Sequence, residues 1–238
     1  MTILYEDNHI IIVNKTCSEI VQADKTGDTP LSETVKSYIR EKYNKPGNVF
    51  IGVPHRLDRP VSGIVVFART DKALSRLNEM FRTHQIKKTY WAIVKNPPLE
   101  PEAELTHYLL RKEEQNKSFA YDKEVKGSKL SILSYKTLAR SDNYFLLEIN
   151  LKTGRHHQIR CQLAKIGSPV KGDLKYGFPR SNPGGGISLH ARSVEFIHPV
   201  SQEKIYIEAP VPENDVLWKA IKSQESRIKS QDRKSLDS

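Results

Sequence analysis

Short apolar runs separated by polar turns dominate the chain. Residues 3–5 and 10–14 (ILY and IIIVN) are β-rich runs divided by Glu6-Asp7-Asn8, which predicts a hairpin. Behind Pro30, the stretch LSETVKSYIREKY puts Leu31, Val35, Tyr38 and Ile39 on one helical face. Lys45 to Pro54, with Pro46, Gly47 and Gly52, reads as a loop. SGIVVFART is a continuous apolar run of the kind a buried strand carries. A helix over DKALSRLNEMFRTHQ follows, with Thr70 or Asp71 as its cap and Leu74, Leu77 and Phe81 along one side. KKTYWAIVK at 87–95 alternates as a strand, and Pro97, Pro98 and Pro101 mark a crossing loop. Further β-like runs lie at 103–110, 129–138 and 144–151, the first two separated by a lysine-rich polar stretch from Arg111 to Gly127. HHQIRCQLAKIG predicts a short helix with Ile159, Leu163 and Ile166 on one face and Gly167 as its stop. SNPGGG at 181–186 is a loop signal, followed by strands at 187–197 and 204–209 and a helix starting near Glu213. From Lys222 the tail is polar and reads as frayed.

Many strands with a few helices between them predict an α+β fold, a mostly antiparallel mixed sheet with flanking helices. No internal repeat and no clean break divides the pattern, so one domain is expected over 1–222 with a polar tail at 223–238. Composition adds a partner class. Lys and Arg number 38 against 28 Asp and Glu, a formal net charge of +10. Such a surplus favours a polyanion, with RNA, DNA and an acidic membrane surface all open on charge alone. No apolar run is long enough for a membrane span or a signal peptide, so a cytoplasmic location is expected. Cys17 and Cys161 form no Cys-x-x-Cys pair, which argues against a disulfide scaffold and a cysteine-rich zinc site. His156 and His157 are adjacent and cannot share one helical face as an i, i+4 ligand pair would, and no Gly-x-Gly-x-x-Gly or Walker loop occurs.

The segment HRLDRPVSGIVVFART places His55, Arg56 and Asp58 in a turn ahead of a buried strand. A carboxylate on a loop held by a rigid strand is well placed for chemistry, although an Asp–Arg surface pair would read the same way. Further pieces decide between them. HRLD-x-x-x-SG, KKTYWAIVK, LKTGRHHQIRCQLAKIGSPVKGD, SLHARSVEFIHPV and EAPVP occur in that order. Together they resemble the RluA-type pseudouridine synthases, from about residue 3 to about residue 212. After Asn14-Lys15 that family usually continues Pro-x-Gly, whereas this chain has Thr16, Cys17 and Ser18, which puts the shape of one loop in question. The S4-like RNA-binding domain of some relatives is not expected, because the catalytic motifs begin at residue 3.

The resemblance implies a pseudouridine synthase fold with a central RNA-binding cleft and no cofactor or metal. It implies Asp58, Tyr90 and Arg160 as catalytic residues and Arg56, His55, Arg155 and Lys88 as RNA-binding ones. The implied partner is structured RNA, ribosomal or transfer, and the expected protein is a monomer. Pseudouridine formation breaks the ribose C1′ to uracil N1 bond and rejoins the ring through C5, so an oriented carboxylate is the central demand. Arg160, with a planar fork suited to a carboxylate, is the expected partner of Asp58. Tyr90 offers a flat face for the detached base and a hydroxyl near its C5 proton. Two rivals stand beside this reading: a non-catalytic RNA-binding or ribosome-assembly factor, and a glycosidase-like hydrolase pairing Asp58 with a second carboxylate such as Asp173.

Overall fold

A computed structural model describes residues 1–213 and 215–220; the expected tail lies outside the described residues. The strands are β1 (Thr2–Glu6), β2 (Ile10–Lys15), β3 (Ser62–Ala68), β4 (Lys87–Val94), β5 (Glu102–Lys112), β6 (Lys117–Tyr121), β7 (Lys129–Arg140), β8 (Phe145–Leu151), β9 (Leu189–Ile197) and β10 (Lys204–Glu208). The helices are α1 (Leu31–Lys42), α2 (Asp71–Arg82) and α3 (Gln158–Lys165), with a 3-10 turn at Leu174–Tyr176. This is an α+β protein built on a mixed sheet. The expected single domain packs as two compact units, and the boundaries fall inside β4, after Tyr90, and inside β9, before Ala191.

The first unit comprises Met1–Tyr90, Gly185–Ile187 and Ala191–Pro210. Its strands run in the order β1-β2-β3-β9, with β10 paired to β9. The predicted hairpin forms because the Asp7 carboxylate accepts from the His9 and Ile10 amides, which reverses the chain between β1 and β2. Helix α1 covers the sheet with Leu31, Val35 and Ile39, which pack on Ile11, Val13, Val65 and Phe67. Each such side chain contributes roughly 1.5–3 kcal/mol by leaving water. Helix α2 is capped by Thr70, whose Oγ1 accepts from the Ala73 amide, so of the two expected caps the hydroxyl serves.

The register of β2 on β3 fixes the end of the sheet that matters chemically. Antiparallel pairing runs from Ile10 opposite Ala68 to Lys15 opposite Gly63. Gly63 has φ +112, and a Cβ there would fall 2.3 Å from the Ala191 carbonyl oxygen and 2.5 Å from its nitrogen. Only glycine lets the two backbones approach so closely. Gly63→Ala is therefore expected to lose about 3 kcal/mol or more of stability, read as a fall in the urea midpoint with an unchanged slope.

The second unit holds Trp91–Gly184, Ser188–His190 and the described residues from Val211 on, with strand order β4-β8-β7-β5-β6. One core patch joins Trp91, Ile93, Leu146, Val211 and Trp218, and another joins Leu109, Cys161 and Tyr176 beneath α3. Helix α3 stops where expected: Gly167, at φ +80, gives its amide to Ala164. The polar stretch from Arg111 to Gly127 departs from expectation. Strand β5 continues to Lys112, a tight turn closed by the Asn116 amide on Glu113 follows, and β6 returns along β5. Its KSFAY sequence can pair because a strand at the sheet margin needs no continuous apolar run.

Candidate active site

Asp58 sits in the first unit, half-buried, on the turn that leads into β3. The turn is closed by the Val61 amide donating to the Asp58 carbonyl at 3.0 Å. Ser18 donates to the Arg59 carbonyl at 3.0 Å, and Ile187 to the Pro60 carbonyl at 3.0 Å. The remaining support is Lys15, the last residue of β2 and only 1% exposed. Its Nζ reaches the carbonyl oxygens of Val61 at 2.6 Å, Thr16 at 3.0 Å, Arg59 at 3.0 Å and Asp58 at 3.4 Å. A buried ammonium has no water to solvate it, so these carbonyls are its solvation shell. Every carbonyl from Asp58 to Val61 is thereby held by a donor. Outside the turn, Arg59 is tied to Asp28 at 2.7 Å, a half-exposed pair that adds little energy.

Ser18 explains the departure from Pro-x-Gly. It stands where the family usually has glycine and adopts φ +79, the left-handed region that glycine enters freely, at the expense of some strain. Gly186 packs just as tightly: a Cβ there would lie 2.7 Å from the Cys17 Cβ.

Burial pushes the Lys15 ammonium down to about 8, against the opposing pull of Glu19, Cys17 and Asp58. From pH 8 up to the ordinary lysine range, the unfolded chain holds a proton the folded chain has released. The Lys15 contribution to stability therefore rises with pH across that window. The grip on the turn moves the other way, because a neutral amine is a weaker donor than an ammonium. The rate is expected to fall with an apparent pKa near 8 while the fold is retained, checked by a pH–rate profile with circular dichroism at each point. Lys15→Met should remove that limb and slow turnover between about 10- and 100-fold.

Tyr90, which closes the first segment of this unit, is buried. Burial first, and then the negative charge of Asp58, raise its hydroxyl well above the ordinary tyrosine range, so it remains a neutral phenol. His55 is not a free cation. Its Nε2 accepts the Val66 amide at 2.9 Å, its ring stacks on Phe81 at 4.5 Å, and burial pushes it down to about 3. Lys88 lies half-buried over the same Phe81 ring, 5.7 Å from its centre, and Arg56 is exposed.

Arg160 belongs to the second unit and is 4% exposed. Its Nε donates to Asp173 Oδ2 at 2.7 Å and its Nη2 to Oδ1 at 2.9 Å, a two-pronged pair with a carboxylate that is itself 1% exposed. Sequence reasoning assigned the fork to Asp58; the structure adds a partner it did not foresee, with the Nε and Nη2 side of the guanidinium held by Asp173. That also removes Asp173 as the second carboxylate of a hydrolase, since both its oxygens are engaged and sealed from solvent.

The motif around Arg160 is mostly scaffold. Gln158 Oε1 accepts from Thr153 Oγ1 and the Arg155 amide, and its Nε2 donates to the Ile132 carbonyl. His157, at φ +54 ahead of α3, is driven to about 2 by burial and by Arg160, and its Nδ1 lies 3.0 Å from the Tyr176 hydroxyl. Arg155 is exposed, its Nε on the Leu130 carbonyl. Lys15, the buried cation beneath the Asp58 turn, is what sequence reasoning passed over. Its signal was a lysine closing the apolar run IIIVN.

The first unit thus holds a half-buried carboxylate on a braced turn and a buried tyrosine whose hydroxyl feels its charge. Among the described residues no helix is long and apolar enough to cross a membrane. Residues 9–165 match the family model described as RNA pseudouridylate synthase, and the chain belongs to that family. It is 30% identical over 242 residues to the tRNA pseudouridine synthase C of Vibrio cholerae, covering 94% of this chain and 95% of that one. It is 34% identical over 218 residues to the ribosomal large subunit pseudouridine synthase C of Buchnera aphidicola, covering 88% of this chain and 67% of the relative. In fold it is similar to human RNA pseudouridylate synthase domain containing 4, with a TM-score of 0.76, 19% identity and 89% of each chain covered.

Proposed function

We propose that this pseudouridine synthase acts on uridine in transfer or ribosomal RNA with Asp58 as its essential carboxylate. The observation that carries the reading is the turn itself, in which Lys15 and three amides fix the backbone that aims the Asp58 side chain. Whether the carboxylate meets C1′ or C6, or assists a glycal route, the reaction needs it oriented at the sugar–base junction. Tyr90, a neutral phenol, serves as a stacking face and proton donor rather than as a phenolate base. Arg160 contributes positive charge to the reacting centre, an assignment resting on its motif position. The uridine must leave its stack before reaction, at a cost of a few kcal/mol, and Arg56, Arg155 and Lys88 offset this through RNA contacts. His55 holds β3 rather than phosphate. The catalytic domain spans 1–222, requires no cofactor or metal, and works as a cytoplasmic monomer.

The names of the relatives leave two RNA classes, and mapping separates them. Carbodiimide-dependent stops in transfer and ribosomal RNA are compared between cells with and without the gene. Loss of a stop at a defined uridine, restored by the wild-type gene and not by the Asp58→Asn form, is the expected result. An unchanged map of both RNA classes would defeat the reading.

A further inference from the structure

The second unit carries a pocket that the chemistry above does not use. It has a volume of about 290 Å³ and opens along β6, with Lys117, Tyr121, Ala164, Lys165 and Tyr176 on its walls and Ala120 and Cys161 at its floor. Strand β6 ends the strand order of this unit and pairs with β5 on one side only. The direction of its other side is fixed by Ser118. The Ser118 amide donates to the Tyr176 hydroxyl at 2.9 Å, and its carbonyl accepts from Cys161 Sγ at 3.2 Å, so both peptide groups turn away from β5. In an antiparallel strand the next residue but one points the same way. Ala120, which lines the pocket, therefore turns its N–H and C=O toward the open side.

The surroundings are cationic and rigid. Lys117 Nζ lies over the rings of Phe119 and Tyr176 at 5.5 and 5.2 Å, and Lys112 over Phe119 at 5.2 Å. Lys165 is held at the rim by Asp122 at 2.9 Å, and Lys175 by the Asn116 carbonyl at 3.1 Å. Lys117 and Lys165 thus line the pocket itself, with Lys112 and Lys175 near it. Ser118 Oγ lies 2.9 Å from His156 Nδ1, a spacing seen in hydrolases. Ser118 is only 2% exposed and its Oγ donates to the His156 carbonyl at 2.8 Å, so it is a wall and not a nucleophile.

We propose that this pocket binds one unstacked nucleotide of the RNA substrate, its phosphate on Lys117 and Lys165 and its base against the β6 margin. The inference rests on the enzyme acting on RNA, and it goes beyond that reading by adding a second contact. Charge selects the occupant: a neutral peptide strand could pair with the same backbone but would bring no counter-charge to Lys112, Lys117 and Lys175, whereas a polyanion does. One outward donor beside one outward acceptor can be satisfied by the Watson–Crick edge of any base. The pocket therefore anchors a strand without reading its sequence.

The test uses the full chain and two probes, a fluorescein-labelled oligouridylate and a uridine-rich stem-loop RNA, with affinity and turnover measured separately. K117A/K165A is expected to weaken binding of both probes by about tenfold and to lower the salt slope by about 0.7 to 0.9, as the loss of one neutralised phosphate requires. Turnover at saturating RNA should hold. Ala164→Trp fills the pocket without altering charge and should also raise Kd, while Lys36→Ala, on α1, should not. Unchanged affinity and salt slope in both pocket variants would overturn the proposal, including the case where Ala164→Trp instead disrupts self-association in sedimentation. A wild-type protein that binds these probes with the expected variant pattern yet forms no pseudouridine would count against the proposed function alone.

Discussion

Asp58→Asn is expected to abolish pseudouridine formation, by at least about 10⁴-fold in turnover, while the protein folds and binds RNA much as before. The bonds that shape the turn run through the carbonyls of residues 58 to 61, to Lys15, Ser18, Val61 and Ile187, and none of these passes through the carboxylate. The amide is nearly the same size and leaves those carbonyl bonds in place. A second readout separates loss of charge from loss of shape. The Asp58 charge, after burial, holds the Tyr90 hydroxyl up, so Asp58→Asn should bring tyrosinate absorbance in at lower pH. Retained turnover would end the assignment of Asp58, and a protein that melts far below wild type would show that the side chain had been structural.

Arg160→Ala should cost about 3–5 kcal/mol of stability in addition to activity, because it strands the Asp173 carboxylate in the interior. Asp173→Ala should be nearly as damaging for the mirror-image reason. The informative protein is the double variant. With both charges gone no uncompensated ion remains, and stability should recover part of the loss through coupling between the two changes. Activity should not recover if Arg160 also serves the reacting centre. Denaturant midpoints and turnover on the same four proteins check both statements. Parallel recovery of stability and turnover in the double variant would reduce Arg160 to a structural ion.

The legible parts of the fold were those whose cause is local. Val35 and Ile39 share a face because a helix repeats every few residues, Thr70 caps because its hydroxyl meets Ala73 one turn on, and Gly167 stops α3 by entering a conformation other residues avoid. What stayed hidden depended on partners distant in sequence. Strand β6 reads as polar loop because its order comes from pairing with β5 and from Tyr176, not from its own pattern. The Arg160–Asp173 pair spans a loop whose course the residues do not announce. Lys15 looked like the exposed end of a strand; only the opposing turn, more than 40 positions later, turns it into an interior cation. Asp58 itself was located by its motif, and its bracing emerged from the structure.

The amine of Lys15 has one further consequence. Surface lysines meet acylating reagents directly, whereas the Lys15 amine is out of their reach while the hairpin and turn stay closed. Its modification rate in the native protein therefore measures how often this part of the molecule opens. A single labelled peptide, followed by mass spectrometry, would make the Asp58 turn its own clock.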